Sequence, residues 1–209
     1  MAKLIWKLPV MAVCLVFGVA YALELTERLT AADWETARMA WFAGGVAVML
    51  PLWLLVFRRA GFFSTFEHEL THLLVGLLFL KKPHSFNVHH QSGGHVQMYG
   101  GNFLITLAPY FLPTLVLIQL PFFLLLRPEF YPAFFGVMGL LTGFTVFSGI
   151  QEFHLKQPDI RQSGIIFSIV VILFGNVFFL GGILVFVLEG FPGWWAFIRG
   201  GGSAVFSLA

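Results

Sequence analysis

Phe66-Glu67-His68-Glu69-Leu70-Thr71-His72-Leu73 runs directly into Leu74-Val75-Gly76-Leu77-Leu78-Phe79-Leu80, so a His-Glu-x-x-His motif opens what reads as an apolar span. On a helix, side chains four apart lie on one face, and His68 and His72 can offer two imidazole nitrogens to one metal ion. Glu69 lies beside the pair, where a carboxylate can take a proton from a water that the metal activates. Ionisable groups in an apolar run are costly to bury, which favours a functional reading over helix-packing histidines.

Working outward, the chain of 209 residues is 58% hydrophobic and only 11% charged, against about a quarter charged in soluble domains. It reads as an all-α polytopic membrane protein, one integral membrane domain over 1–209. The one cysteine, Cys14, excludes an internal disulfide and a cysteine zinc cage and reads as a buried apolar residue. A net charge of +2, scattered along the chain, gives no sign of nucleic-acid binding.

About six transmembrane helices are expected, over 4–23, 39–57, 61–80, 103–126, 131–151 and 165–188. Gly44 and Gly45 suit close packing of the second, with Pro51 a kink. Gly139 and Gly143 suit close packing of the fifth. Pro109, Pro113 and Pro121 predict a bent or interrupted fourth helix whose freed carbonyls need partners inside the protein. The polar segment 84–101 alternates weakly around Ser92-Gly93-Gly94 as a loop or short β-hairpin, whose exposed edge could hold an extended peptide. The aromatic tail from 189 to 209 reads as interfacial, with Gly200-Gly201-Gly202 a flexible end.

With six spans, Lys3, Lys7, Arg58, Arg59, Arg127 and Arg199 share one side, which the positive-inside rule makes cytoplasmic. Lys81, Lys82, Lys156 and Arg161 fall opposite. This arrangement puts His68 on one side of the membrane and the polar stretch 151–164 on the other. A break in the fifth span would bring them together, since irregular backbone is tolerated where it lines a polar cavity.

A catalytic zinc commonly keeps three protein ligands. Beyond His68 and His72, the residues leave Asp159, His154 and Glu152 as candidates for the third. His154, Glu152, His95 and Asn102 are candidate auxiliary residues.

These residues carry a resemblance to the site-2 protease family of intramembrane zinc metalloproteases, particularly its small bacterial members. It rests on His68-Glu69-Leu70-Thr71-His72, on Gly93-Gly94-His95-Val96 as the glycine-containing strand, on Leu107-Ala108-Pro109 where the family often has Ala-Gly-Pro, and on Pro158-Asp159 where it has the aspartate ligand. The chain departs from the family where Ala108 meets Pro109 without glycine, where Ile160 follows Asp159, and where Thr71 stands in place of a common glycine. The resemblance implies a three-helix catalytic core within 60–164, one zinc ion per chain held by His68, His72 and Asp159, and Glu69 as catalytic base. It also implies a metalloendopeptidase of the bacterial cytoplasmic membrane acting on membrane-protein substrates, single-span ones first, as a monomer or an oligomer. The rival readings are an inactive protease-like membrane scaffold and a membrane metal transporter.

Overall fold

The computed structural model describes residues 5–89 and 93–207; His90, Gln91 and Ser92 lie outside the described residues, as do the side chains of His89 and His95. With no water to bond them in lipid, backbone groups must be satisfied within the protein, and helices do this segment by segment. The helices are α1 (Lys7–Ala31), α2 (Ala37–Leu52), carried on through a π-helical turn to Ala60, and α3 (Phe62–Leu78). After the hairpin come α4 (Phe103–Leu107), α5 (Thr114–Gln119), α6 (Tyr131–Glu152), α7 (Pro158–Ser163) and α8 (Ile165–Ser207). Strands β1 (Pro83–His89) and β2 (Gly93–Met98) pair antiparallel, with Phe86 opposite Val96. Among the described residues four helices are long and apolar enough to cross a membrane. The pair Phe103–Tyr110 and Thr114–Leu125, bent by 92°, makes five.

Two parallel helix pairs frame the molecule. In the first, Lys7 Nζ donates to the Ser163 carbonyl at 2.7 Å, Tyr21 packs on Phe174 and Phe178 midway, and Arg28 meets Glu189 at 2.6 Å, so α1 and α8 run the same way. In the second, Phe42 meets Gly139, Met49 meets Gly143, and Trp53 stacks on Phe144, so α2 and α6 also run parallel. A Cβ on Gly45 or Gly139 would collide with the carbonyl oxygens of Gly136 and Phe42. Gly44, expected to share this role, faces open space. A core of Met39, Phe42, Val116, Phe135, Met138 and Phe186 fills the space between α2, α5, α6 and α8.

These contacts sort the charges. One end of the bundle gathers Lys7, Arg58, Arg59, Lys156 and Arg161 at the start of α1, the end of α2 and the α6–α8 connection. The other gathers Glu24, Glu27, Asp33, Glu35, Glu129 and Glu189 with Arg28, Arg38 and Arg127.

The same contacts resolve the conflict of sides. α3 starts at the basic end, where Ser64 Oγ donates to Glu152 at 3.0 Å. The hairpin turns back along it, Phe86 against Phe66, and α4 begins at the same end, Phe103 against Trp6 and Phe167. The chain thus leaves the basic end and returns to it before crossing once through α4 and α5. At 17 residues, α3 is at the short limit of a span. Hence α6 ends where α3 begins with no break in α6, which is continuous. The broken helix is the proline-bearing fourth segment, not the fifth.

Gly200-Gly201-Gly202, expected as a flexible end, is helical. Gly190, at φ 73°, interrupts α8, and residues 191–207 fold back as helix. Phe197 is buried beside Val185 and Tyr21, and Tyr21 Oη donates to the Ile198 carbonyl at 2.7 Å. Gly201 lies flat on the Tyr21 ring and Gly200 on Glu24, approaches that a side chain would prevent.

Candidate metal centre

α3 is amphipathic in the sense opposite to that of a soluble helix. Ser64, Glu67, His68, Thr71 and His72, three and four residues apart, turn inward, while Phe63, Phe66, Leu77 and Leu78 are exposed. Each inward group has a partner on a neighbouring element. Glu67 accepts hydrogen bonds from Thr145 and Ser148 of α6 at 3.2 and 3.0 Å. Thr71 and Thr114 share a 2.6 Å hydroxyl bond, which fixes α3 to the first turn of α5. Glu69 is buried, with the Val96 backbone of β2, His68, His72 and Asp159 around its carboxylate.

Three ligand atoms converge beside this stripe. His68 Nε2 and His72 Nε2 are 3.2 Å apart, and Asp159 Oδ2 lies 3.4 Å from the first and 3.5 Å from the second. Among the described residues this partly buried group is the one cluster of three or more His, Cys, Asp or Glu ligands. A tetrahedral zinc with nitrogen and oxygen ligands at about 2.0–2.2 Å requires edges of about 3.3 to 3.6 Å between them. The donor set therefore fits such an ion in both chemistry and size.

Asp159 reaches the cluster because α7 delivers it. Pro158 presets the backbone at the helix start, Ile160 is wholly buried against Leu107 and Tyr110, and Lys7 clamps the far end at Ser163. Asp159 Oδ2 stands beside both imidazole Nε2 atoms. Tyr110 Oη donates to the same Oδ2 at 3.3 Å, and its ring stands edge-on to His68.

The broken fourth helix sets the tautomer of His72. Pro109 has no N–H to give the carbonyl four residues back, which is that of Ile105. His72 Nδ1 donates to this oxygen at 2.8 Å. Because a carbonyl only accepts, the ring proton sits on Nδ1 and the Nε2 lone pair faces the cluster. Beyond the 3₁₀ turn the Thr114 amide bonds Leu112 instead of Tyr110. The freed Tyr110 carbonyl accepts from Asn176 Nδ2 of α8 at 3.0 Å.

The candidate auxiliary residues lie around the centre. Asn102 caps α4, its Oδ1 accepting from the Ile105 amide at 2.9 Å, and so shapes the segment that orients His72. Glu152 holds Ser64 and sits outside the ligand cluster. His154 is exposed in the turn before α7, its carbonyl closing that turn with the Gln157 amide. His95 belongs to β2, and its side chain lies outside the described residues. Tyr110, Thr71, Thr114 and Asn176 do not stand out in the motif reading. The helical spacing of Ser64, Glu67 and Thr71 around the histidines is the signal that could have found the first of these contacts. Compared with models of known protein families, with curated proteins and with solved structures, the chain gives no significant match.

Proposed function

We propose that this protein is an intramembrane metalloendopeptidase of the site-2 protease kind, with a zinc ion held by His68, His72 and Asp159 and with Glu69 as its base. The observation that carries the reading is the triangle of ligand atoms with edges of 3.2, 3.4 and 3.5 Å, formed by a His-Glu-x-x-His helix and an aspartate 87 positions after the second histidine, Asp159 against His72. The three-helix core of the proposal is α3, the bent pair α4 and α5, and α6 with its α7 extension. Ile160, where the family has glycine, serves in this chain as the buried anchor that presents Asp159.

Bound there, the metal would supply the Lewis acid that makes water nucleophilic at neutral pH. The Glu69 carboxylate is placed to accept the proton of that water and to pass it to the departing amine as the peptide C–N bond breaks. His72 is held in its ligating tautomer by Ile105, and Tyr110 holds Asp159. β2, whose Val96 backbone lies beside Glu69, brings an extended edge to the site where a substrate strand could align. The basic end of the bundle, which holds α7 and the start of α3, faces the cytoplasm by the positive-inside rule. Against transport, a route would need further ionisable stations along the spans, and the described residues hold one ligand cluster.

The test is metal analysis of the purified protein, with cleavage of single-span substrates by wild type and Glu69→Gln. About one zinc per chain in both, with cleavage lost in the variant alone, is the expected result. Absence of metal from carefully prepared wild type sinks the proposal, and retained zinc without cleavage by either protein favours the scaffold reading.

A further inference from the structure

A second polar feature lies outside the ligand triangle. A groove of about 340 Å³ runs between the 3₁₀ turn of the broken helix, α6 and α8, lined by Tyr110, Phe111, Thr145, Gly149, Phe153 and Asn176 among others. At its rim Ile150 and Leu173 are 71% and 62% exposed, so it opens toward the lipid-facing side of the bundle. At its inner wall stands Tyr110, whose hydroxyl is on Asp159. One side chain therefore lines both the groove and the metal centre.

Asn176 makes this groove more than an apolar cleft. Its Nδ2 donates to two carbonyls, Tyr110 at 3.0 Å and Ile172 at 2.9 Å. Both neighbours are acceptors, so the amide cannot be turned the other way. Its Oδ1 has no donor among the described residues and is not among the buried unpaired atoms, which leaves it accessible from the groove. An unpaired acceptor in an apolar span is unfavourable unless a donor arrives. An intact membrane helix has no backbone N–H to offer, because each is already bonded within the helix. An unwound stretch does. Across from Asn176, Gly149 presents bare helix backbone, and a Cβ there would meet nothing within 4 Å, so the groove is open on that side.

We infer that this groove binds the locally unwound part of a transmembrane substrate segment, with Asn176 Oδ1 accepting one of its backbone N–H groups and Tyr110 marking the passage to the metal centre. The inference rests on the proteolytic reading above for the identity of its ligand as a substrate, and it assigns the face by which that substrate arrives.

The test uses the full chain carrying Glu69→Gln in proteoliposomes, with a photoreactive benzoylphenylalanine at Ile150 or Leu173 and, as a control, at Leu55 on the exposed face of α2. The probe is a synthetic peptide of about 20 apolar residues interrupted at its centre by Gly-Pro, compared with its uninterrupted polyleucine counterpart. Crosslinks from positions 150 and 173 but not 55 are expected, favouring the interrupted peptide. They should fall about fivefold in Asn176→Leu, the worth of one neutral hydrogen bond, compared at equal metal loading because Asn176 also bonds the Tyr110 carbonyl. Gly149→Phe, which fills the groove from the opposite wall, should abolish them and retain metal. Equal labelling of the two peptides, labelling that survives both variants, or crosslinks to lipid acyl chains alone would overturn the inference. Because the readout is binding in a protein without its base, groove labelling combined with no cleavage by wild type would refute the protease and leave the groove standing.

Discussion

Replacing Pro109 with alanine tests the link between the helix break and the metal centre. Alanine restores an amide at position 109, which in a continuous helix bonds the Ile105 carbonyl, the same oxygen that accepts from His72 Nδ1 at 2.8 Å. A carbonyl has two lone pairs, so the new amide competes with His72 and does not evict it. Loss of a partner that orients a metal-bound histidine typically weakens metal affinity by about 10–100-fold; shared occupancy places this variant near the lower end, about tenfold, or ~1.4 kcal/mol. The assay is competition for zinc against a chromophoric chelator in detergent. Pro121→Ala is the control, because Pro121 lies in the distant 3₁₀ stretch Leu120–Leu125 and is exposed; its affinity should stay within about twofold of wild type by the same scale. If Pro109→Ala folds and binds zinc as tightly as the control, His72 is not oriented by the carbonyl that the proline frees.

Tyr110→Phe removes the donor to Asp159 Oδ2 and should weaken zinc about tenfold in the same titration, without loss of thermal stability beyond about 1 kcal/mol. Glu67→Leu breaks the bonds to Thr145 and Ser148; at about 0.6 kcal/mol for each interhelical bond it should lower the detergent melting temperature by a few degrees while zinc content is kept, separating Glu67 from its neighbour Glu69. Gly139→Leu forces a side chain into the Phe42 carbonyl and should cost about 3 kcal/mol or more, seen as loss of monodisperse protein in size-exclusion chromatography.

The membrane class, the hairpin and the ligand atoms of His68 and His72 were legible because each has a local signature: composition, alternation, and a spacing of four. Asp159 was legible only as one of three candidates until the resemblance chose among them. The path of the chain was misread at 61–80, where hydropathy counted α3 as a crossing although its polar residues fall every three to four positions along one stripe. That stripe means a helix turned toward protein on one side, and its 17 residues sit at the short limit of a span. Counting it as a crossing put α6 the wrong way up, and a break in α6 then had to be supposed to bring Asp159 back. The break already marked by Pro109 and Pro113 was the real one. Tyr110 and the Ile105 carbonyl could not be read at all, since a backbone oxygen has no sequence signature and Tyr110 meets Asp159 only after the chain has bent.

That bend explains how so apolar a chain can hold a polar centre. A straight helix over 103–125 would use the Ile105 and Tyr110 carbonyls internally, leaving His72 free to ligate through either nitrogen and Asn176 with the Ile172 carbonyl alone. Breaking it forgoes two helical hydrogen bonds, each worth about 1 kcal/mol net. His72 and Asn176, side chains on two other helices, bond those oxygens in their place. The exchange is close to neutral in hydrogen bonds, but it converts contacts within one helix into contacts between three. Polar groups that would be unfavourable singly in lipid become mutual partners, and the Nε2 lone pair of His72 is left facing His68 Nε2 and the Asp159 carboxylate. On this argument the prolines of the fourth segment belong to the metal centre as surely as its ligands, and their removal should be felt in metal affinity before it is felt in folding.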